Sequence, residues 1–174
     1  MKSFLKIILC CLMLVWGGFA LFQTGFRINL TPSVPRGIYI LVPGSPWRGD
    51  MVSLCLEDPF FVSLAKDRGY LRSGSCPCGL EPLLKTLVGL PGDRLEITPE
   101  GLCINGDLQP NSRLVVADSH GRPMSVSMAL APGTIPPGMG LVLSDGHPGG
   151  FDGRYFGFTP LASLQRAQPV LTFN

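Results

Sequence analysis

The longest apolar stretch in the chain lies near the N-terminus and carries no charge. Lys2 and Lys6 precede it, residues 7–26 read IILCCLMLVWGGFALFQTGF, and Arg27 is the next charged residue. About 20 such residues can cross a bilayer as a helix, and lysines before the run favour a cytoplasmic N-terminus. We therefore predict a transmembrane anchor over residues 1–26 and one exported domain over residues 27–174.

The alternative interpretation of this segment is a cleaved signal peptide. Residues 18–20 read Gly-Phe-Ala and offer the small side chains that signal peptidases select at a cleavage site. The apolar run continues past Ala20, which favours an anchor that is not cleaved. Both interpretations place the rest of the chain outside the cytoplasm.

Beyond Arg27 the pattern changes to short apolar runs separated by glycine- and proline-rich turns. One helix is predicted after Asp58, with Pro59 in its first turn, Gly69 at its end, and Phe61, Leu64 and Ala65 facing the core. Strands are predicted at residues 37–42, 51–56, 81–93 (running into a turn), 138–145 and 169–173, with two more in residues 94–110 joined by an Asn105-Gly106 hairpin turn. This spacing indicates a mainly β, barrel-like domain.

Composition and charge agree with this fold class and exclude one class of partner. The 22 glycines and 17 prolines, with only 15% charged residues, suit short strands and turns better than a helix bundle. The chain has 14 Lys and Arg against 12 Asp and Glu. A balance this close argues against a nucleic-acid partner, because such proteins concentrate basic residues in a patch or stripe.

Four cysteines lie beyond the apolar run: Cys55, Cys76, Cys78 and Cys103. In an oxidising compartment an even number of cysteines indicates disulfides. The rival is a zinc site with His120 as a helper, but the CPC motif has one intervening residue where zinc motifs have two to four. We predict at least one disulfide and no metal. The pairing stays open, and Cys55 with Cys76 is favoured because both flank the predicted helix.

A serine between two prolines stands out in the segment NLTPSVPRGIY, residues 29–39. Pro32 and Pro35 restrict their own φ angles and bias the preceding residues toward extended geometry, so Ser33 is presented in one orientation. The segment is either a plain linker or a mount for a nucleophile. A nucleophilic serine needs a base, and His120 and His147 both lie in polar segments typical of surface loops.

Lys85 is the better candidate for a base. In a strand it shares a face with Leu83 and Leu87. A lysine on an apolar face can extend outward to solvent, pair with a carboxylate, or become desolvated, which lowers its pKa. Only a desolvated lysine can act as a base near neutral pH.

Three segments occur in an order that resembles a known family. TPSVPRGIY, then LLKTLVGLPGD, then FDGRYFG are similar to the successive boxes of the type I signal peptidases, and the match is closer to their conjugative-transfer branch, the TraF-type peptidases. The RGYL segment followed by a Gly-Ser-Cys-Pro stretch also fits that branch. The resemblance covers most of the exported chain and implies a signal-peptidase-like β-barrel catalytic domain.

The resemblance also implies roles for individual residues. Ser33 corresponds to the nucleophile and Lys85 to its general base, a Ser-Lys variant of the catalytic triad that needs neither histidine nor a cofactor. The Thr31 hydroxyl and the Ser33 backbone N–H correspond to the oxyanion hole. Asp152 and Arg154 correspond to a pair that braces the site, and Asp152 is a candidate for a more direct role in this branch.

One departure from the family pattern concerns the lysine. Many members have a serine two residues before the aspartate, hydrogen-bonded to the lysine, and this chain has Gly150 there. Another group must orient Lys85, and Ser144 and Asp145 are the candidates.

The resemblance implies a serine endopeptidase held in the inner membrane by a single span, with its catalytic domain on the periplasmic side. Its partners would be membrane lipid and an exported precursor with its own membrane segment, by branch a conjugative pilin subunit, which is either hydrolysed or cyclised. The alternatives are a general signal peptidase and a non-catalytic assembly module of a conjugation apparatus.

The anchor predicts a specific topology. A reporter enzyme fused after Asn174 should be active only outside the cytoplasm, because the lysines before the run hold the N-terminus inside. N-terminal sequencing of the mature protein checks the same point, since a new N-terminus just after Ala20 would show a signal peptide and exclude the anchor.

Overall fold

A computed structural model describes residues 6–8, 25–126 and 130–173 of the chain. Most of the predicted anchor, residues 1–5 and 9–24, lies outside these ranges. Within them, no helix combines the length and apolar character that crossing a bilayer requires.

Two antiparallel sheets form the described domain. The larger sheet has seven strands in the order β1 (Phe26–Asn29), β2 (Gly37–Val42), β11 (Gln165–Thr172), β3 (Met51–Leu54), β4 (Leu83–Gly89), β9 (Met139–Leu143) and β10 (Thr159–Pro160). The smaller sheet has the order β7 (Asp107–Leu108), β6 (Leu102–Ile104), β5 (Arg94–Ile97) and β8 (Gly133–Thr134). The last strand of the chain, β11, pairs with β2 on one side and β3 on the other.

The mainly β class is confirmed, but strand pairing does not close one barrel within the described residues. The larger sheet ends at β1 and β10, each of which pairs with a single neighbour. Strands β2, β3, β4, β6, β9 and β11 occur where the apolar pattern predicts them, and Asn105 and Gly106 form the predicted hairpin turn between β6 and β7 with positive φ. Strands β1, β8 and β10 were not predicted, and β8 and β10 have only two residues each, too few to show an alternating pattern. Residues 94–110 hold three strands, β5, β6 and β7, where two were predicted.

The predicted helix is also present, as α1 (Pro59–Asp67). Asp58 caps it by accepting a hydrogen bond from the Phe60 N–H at 2.8 Å. Phe61 and Ala65 are buried, and Leu64 is partly buried against the same core. A second, one-turn helix, α2 (Gly153–Phe156), follows β9, and a 3-10 turn spans Leu161–Ser163.

The main hydrophobic core lies between the larger sheet and these two helices. Phe151 packs against Phe61 of α1 and against Tyr155 and Phe156 of α2, and these rings share one buried cluster with side chains of β3, β4 and β9. Each large side chain buried in this way contributes about 1.5–3 kcal/mol to folding. The core therefore fixes β4 and the segment before α2 relative to each other.

A disulfide joins Cys55 to Cys76, which confirms the favoured pairing. It closes the segment that contains α1 at a sequence separation of 21 residues. Cys78 and Cys103 are free thiols. Because Cys76 is consumed by the disulfide, the CPC motif does not offer two thiols to a metal.

The disulfide predicts a measurable loss of stability when it is removed. The Cys55→Ser, Cys76→Ser double variant should lose about 3 kcal/mol of unfolding free energy, because the unfolded chain gains the freedom that the closed loop denied it. Denaturant unfolding measures this loss, and the Cys78→Ser variant is the matched control. Equal unfolding midpoints for the double variant and the wild type would contradict the prediction.

Candidate active site

Ser33 lies in the short loop that connects β1 to β2. Its side chain is only 8% exposed. Its hydroxyl lies 2.9 Å from the Thr31 hydroxyl and 3.4 Å from the carbonyl oxygen of Leu84 in β4. The loop is thus folded onto β4, and the serine sits beside the residue that immediately precedes Lys85.

Lys85 is buried, with 3% of its surface exposed. Its strand neighbours on the same face, Leu83 and Leu87, are buried as well, so the prediction of an apolar setting for this lysine is correct. Its amine donates a hydrogen bond to Ser144 Oγ at 2.9 Å. Burial lowers the pKa of Lys85 from its ordinary 10.5 to about 8, because an apolar surrounding disfavours the charged form.

Asp152 is not a counter-ion for Lys85, because its carboxylate is already paired with the guanidinium of Arg154. The two side chains are fully buried and form a bidentate pair, with Arg154 Nε 2.8 Å from Asp152 Oδ1 and Nη2 2.9 Å from Oδ2. The charge of Asp152 raises the pKa of Lys85 and that of Arg154 lowers it, so the pair's influences oppose each other and desolvation prevails.

The same pair braces the loop that carries Ser144. Asp152 Oδ2 accepts a hydrogen bond from the Ser144 backbone N–H at 2.9 Å. The Arg154 guanidinium donates to four backbone carbonyls, those of Asn111, Arg113, Pro148 and Gly150. A chain of contacts therefore runs from Lys85 through Ser144 and Asp152 to Arg154.

Ser144 occupies the space that a side chain at position 150 would need. A Cβ built on Gly150 would lie 2.1 Å from Ser144 Oγ, far inside van der Waals contact. There is thus room for only one of these two side chains beside Lys85. Ser144, which directly follows β9, provides the hydroxyl. Of the two candidates for orienting the lysine, the structure places Ser144 on the amine, while the Asp145 carboxylate accepts from the Thr86 hydroxyl.

The loop after β9 also contacts the serine loop directly. The Gly146 N–H donates to the carbonyl oxygen of Ser33 at 3.2 Å. A Cβ at position 146 would lie 2.3 Å from the Pro32 carbonyl oxygen, so this close approach requires glycine. One loop therefore locates both the partner of Lys85 and the backbone of Ser33.

The structure brings together Thr31, Ser33, Lys85, Asp152 and Arg154, the residues singled out in the sequence. No direct hydrogen bond between the Ser33 hydroxyl and the Lys85 amine occurs among the described contacts. Within the part of the chain that the structure describes, neither histidine side chain hydrogen-bonds to these residues. His120 is exposed beside Ser119, and His147, although it follows Gly146 in the loop after β9, is exposed and accepts from the Gly149 N–H. The sequence analysis gave no role to Asn29, whose side-chain oxygen accepts a hydrogen bond from the Thr31 hydroxyl at 2.8 Å; no local motif marks this residue.

Comparison with known proteins identifies the family. A family model described as signal peptidase, peptidase S26, matches residues 1–169. The chain belongs to the S26 signal peptidase family. Curated relatives agree with this assignment at 39% identity for a probable conjugal transfer protein TraF from Sinorhizobium fredii and 38% for the conjugal transfer protein TraF of Agrobacterium fabrum.

These S26 relatives align along most of their length. The Sinorhizobium match covers 86% of this chain and 78% of that protein, and the Agrobacterium match covers 86% and 84%. A plasmid transfer protein TraF from Escherichia coli is 34% identical over 88% of this chain and 87% of its own. A solved signal peptidase I from Enterococcus faecalis is 24% identical, with a TM-score of 0.39, covering 75% of this chain and all of that one.

The contact between Ser144 and Lys85 predicts a positional swap. Ser144→Ala should lower the rate of any reaction that uses the Lys85 amine, because the amine loses its one hydrogen-bond partner in the structure. The Gly150→Ser single variant should also lose activity, because its new Cβ would clash with Ser144 Oγ and displace it from Lys85. The Ser144→Gly, Gly150→Ser double variant should recover activity, because the hydroxyl returns to the lysine from the other side.

Precursor processing by the four proteins measures this effect, and thermal melting separates it from unfolding. Activity of Ser144→Ala at the wild-type level would show that the hydroxyl does not position Lys85.

Proposed function

We propose that this S26 family member is a membrane-anchored serine endopeptidase in which Ser33 is the nucleophile and Lys85 the general base. The observation that supports this most is a buried amine with a pKa of about 8 at Lys85, on the strand where a buried, loop-mounted Ser33 contacts the preceding residue, Leu84. A lysine with this pKa has a useful fraction of neutral amine near neutral pH, as a general base needs.

The reaction would be an acyl transfer in two stages. Neutral Lys85 takes the Ser33 hydroxyl proton while Oγ adds to the scissile carbonyl carbon, and the Ser33 N–H and Thr31 hydroxyl stabilise the resulting oxyanion. The tetrahedral species collapses as Lys85 returns the proton to the departing amine, which leaves an ester on Ser33. A water molecule or a second amine then attacks the ester and restores the serine.

The substrate class follows from the relatives and from the position of the serine. Several relatives are named for conjugal or plasmid transfer, which supports a substrate that belongs to a conjugation apparatus. Within that class we propose an exported pilin subunit, the substrate that the TraF-type resemblance implies. Ser33 lies seven residues after the apolar run that ends at residue 26. An anchor there would hold the site near the membrane surface, where the cleavage site of a precursor emerges beside its own membrane segment.

The same features support a periplasmic location for the domain. The Cys55–Cys76 disulfide requires an oxidising compartment to persist. Because β1 begins at Phe26, the last residue of the predicted anchor, an anchor there would leave the domain against the outer face of the inner membrane, where lipid and precursor would be its partners.

The mechanism predicts how processing depends on pH and on the two residues. The rate should rise with pH through about 8, because only neutral Lys85 accepts the proton and its neutral fraction falls tenfold per unit below its pKa. Ser33→Ala and Lys85→Met should each abolish processing. Lys85→Arg should also be inactive, since a guanidinium does not deprotonate in proteins. Purified full-length protein in detergent, incubated with pilin precursor, tests this by product mass.

The His120→Ala, His147→Ala double variant is the matched control, and it should retain most activity. Product mass also distinguishes the two outcomes of deacylation, because a cyclic product is one water lighter than the hydrolysed one. Processing by Lys85→Arg at the wild-type rate would refute the Ser-Lys mechanism. Normal assembly of the transfer apparatus by both Ser33→Ala and Lys85→Met would instead favour the non-catalytic module.

A further inference from the structure

We propose that Asn29 is a positioning residue that determines where the Thr31 hydroxyl points and, through it, the Ser33 hydroxyl. The inference rests on the proposed peptidase function. It adds a residue to which the family resemblance gives no role, whereas Ser33, Lys85 and the Asp152–Arg154 pair each have one. Asn29 is the last residue of β1 and is 7% exposed, an unusual setting for an amide side chain.

The Asn29 side chain is the hydrogen-bond centre of the serine loop. Its Nδ2 lies 2.9 Å from the Thr31 carbonyl oxygen, 3.0 Å from that of Val34 and 3.1 Å from that of Pro35. Its Oδ1 accepts from the Thr31 N–H at 3.2 Å and from the Thr31 hydroxyl at 2.8 Å. These contacts also fix the amide orientation, because the reverse one would place Oδ1 against three carbonyl oxygens.

The direction of the hydroxyl chain follows from counting protons. Asn29 Oδ1 can only accept, so the Thr31 hydroxyl must spend its single proton on it. In the 2.9 Å contact between Thr31 Oγ1 and Ser33 Oγ, the donor is therefore Ser33, whose other acceptor, the Leu84 carbonyl oxygen, lies farther away at 3.4 Å. The resting arrangement runs from Ser33 to Thr31 to Asn29, so the serine proton is engaged by Thr31.

This arrangement has to change when substrate binds. A Thr31 hydroxyl that donates to an oxyanion must leave Asn29 Oδ1, and the Ser33 proton must turn toward Lys85. Oδ1 is not stranded by this change, because it keeps the Thr31 backbone N–H. Release of the hydroxyl therefore avoids the cost of a buried, unsatisfied acceptor, and Asn29 holds Thr31 in place through its backbone while its hydroxyl switches.

A double-mutant cycle tests the coupling between Asn29 and Thr31. Full-length Asn29→Ala, Thr31→Val and the double variant are assayed for kcat and KM on precursor in detergent. Thr31→Val should lower kcat roughly 10²-fold as the loss of an oxyanion donor. Asn29→Ala should lower kcat about tenfold, the scale of one misplaced hydrogen bond, with little change in KM. The double variant should be no slower than Thr31→Val, because Asn29 acts through a hydroxyl that is already gone.

A purely structural role makes a different prediction. If Asn29 only stabilises the loop, its effect multiplies with that of Thr31→Val, and this result would overturn the proposal. Asn105→Ala is the matched control for lost stability, because Asn105 is also an amide that holds backbone and carboxylate groups, yet it lies in the turn of the smaller sheet. Its effect on kcat should not couple to Thr31→Val.

A second variant decides the question if Asn29→Ala does not fold. Asn29→Gln keeps both the amide donor and the acceptor, but one more methylene displaces the amide oxygen from Thr31, so kcat should fall several-fold with little change in KM and with no added effect on Thr31→Val. A wild-type kcat for Asn29→Gln, or a loss that multiplies with that of Thr31→Val, would overturn the proposal. Ser33→Ala and Lys85→Arg are assayed in parallel. If either variant processes precursor, the proposed peptidase mechanism fails. If both are inactive and the effects of Asn29→Ala and Thr31→Val multiply, only the role of Asn29 is refuted.

Discussion

The physical effect on which the proposed chemistry of this domain depends is the desolvation of one amine. Lys85 lies in the interior of the larger sheet, and in the described structure its amine donates one hydrogen bond, to Ser144. A buried ammonium is costly unless a counter-ion compensates it. The buried carboxylate of Asp152 is paired with Arg154, so desolvation prevails and lowers the pKa of the amine to about 8.

The buried Asp152–Arg154 pair provides rigidity while its two charges offset each other at the lysine. Five backbone groups outside the pair hydrogen-bond to its two side chains: the Ser144 N–H and four carbonyls. Removing one partner would strand a fully buried charge, which explains why both must be present. The close contact between Gly150 and Ser144 shows how the chain departs from the wider S26 pattern, since it supplies the lysine's hydroxyl partner from a different position.

The serine side of the site is organised by backbone restraint. Prolines limit the loop on both sides of Ser33, Asn29 fastens its carbonyls, and the Gly146 N–H holds the Ser33 carbonyl. With the backbone held, what remains free is the direction of two hydroxyl protons. A site of this kind can change its hydrogen bonding between resting and reacting states without moving its chain.

The sequence by itself determined the features that depend on neighbouring residues. Helix α1, most strands, the Asn105-Gly106 turn and the proline frame of Ser33 follow from local propensity, and the apolar face of Lys85 follows from the period of a strand. Tertiary structure alone decided that Lys85 is buried and does not reach solvent, that Ser144 and not Asp145 meets its amine, that β11 inserts between β2 and β3, and that the larger sheet stays open. Each of these rests on contacts between residues far apart in the chain, where packing space and the pairing of buried charges, not local pattern, select the arrangement.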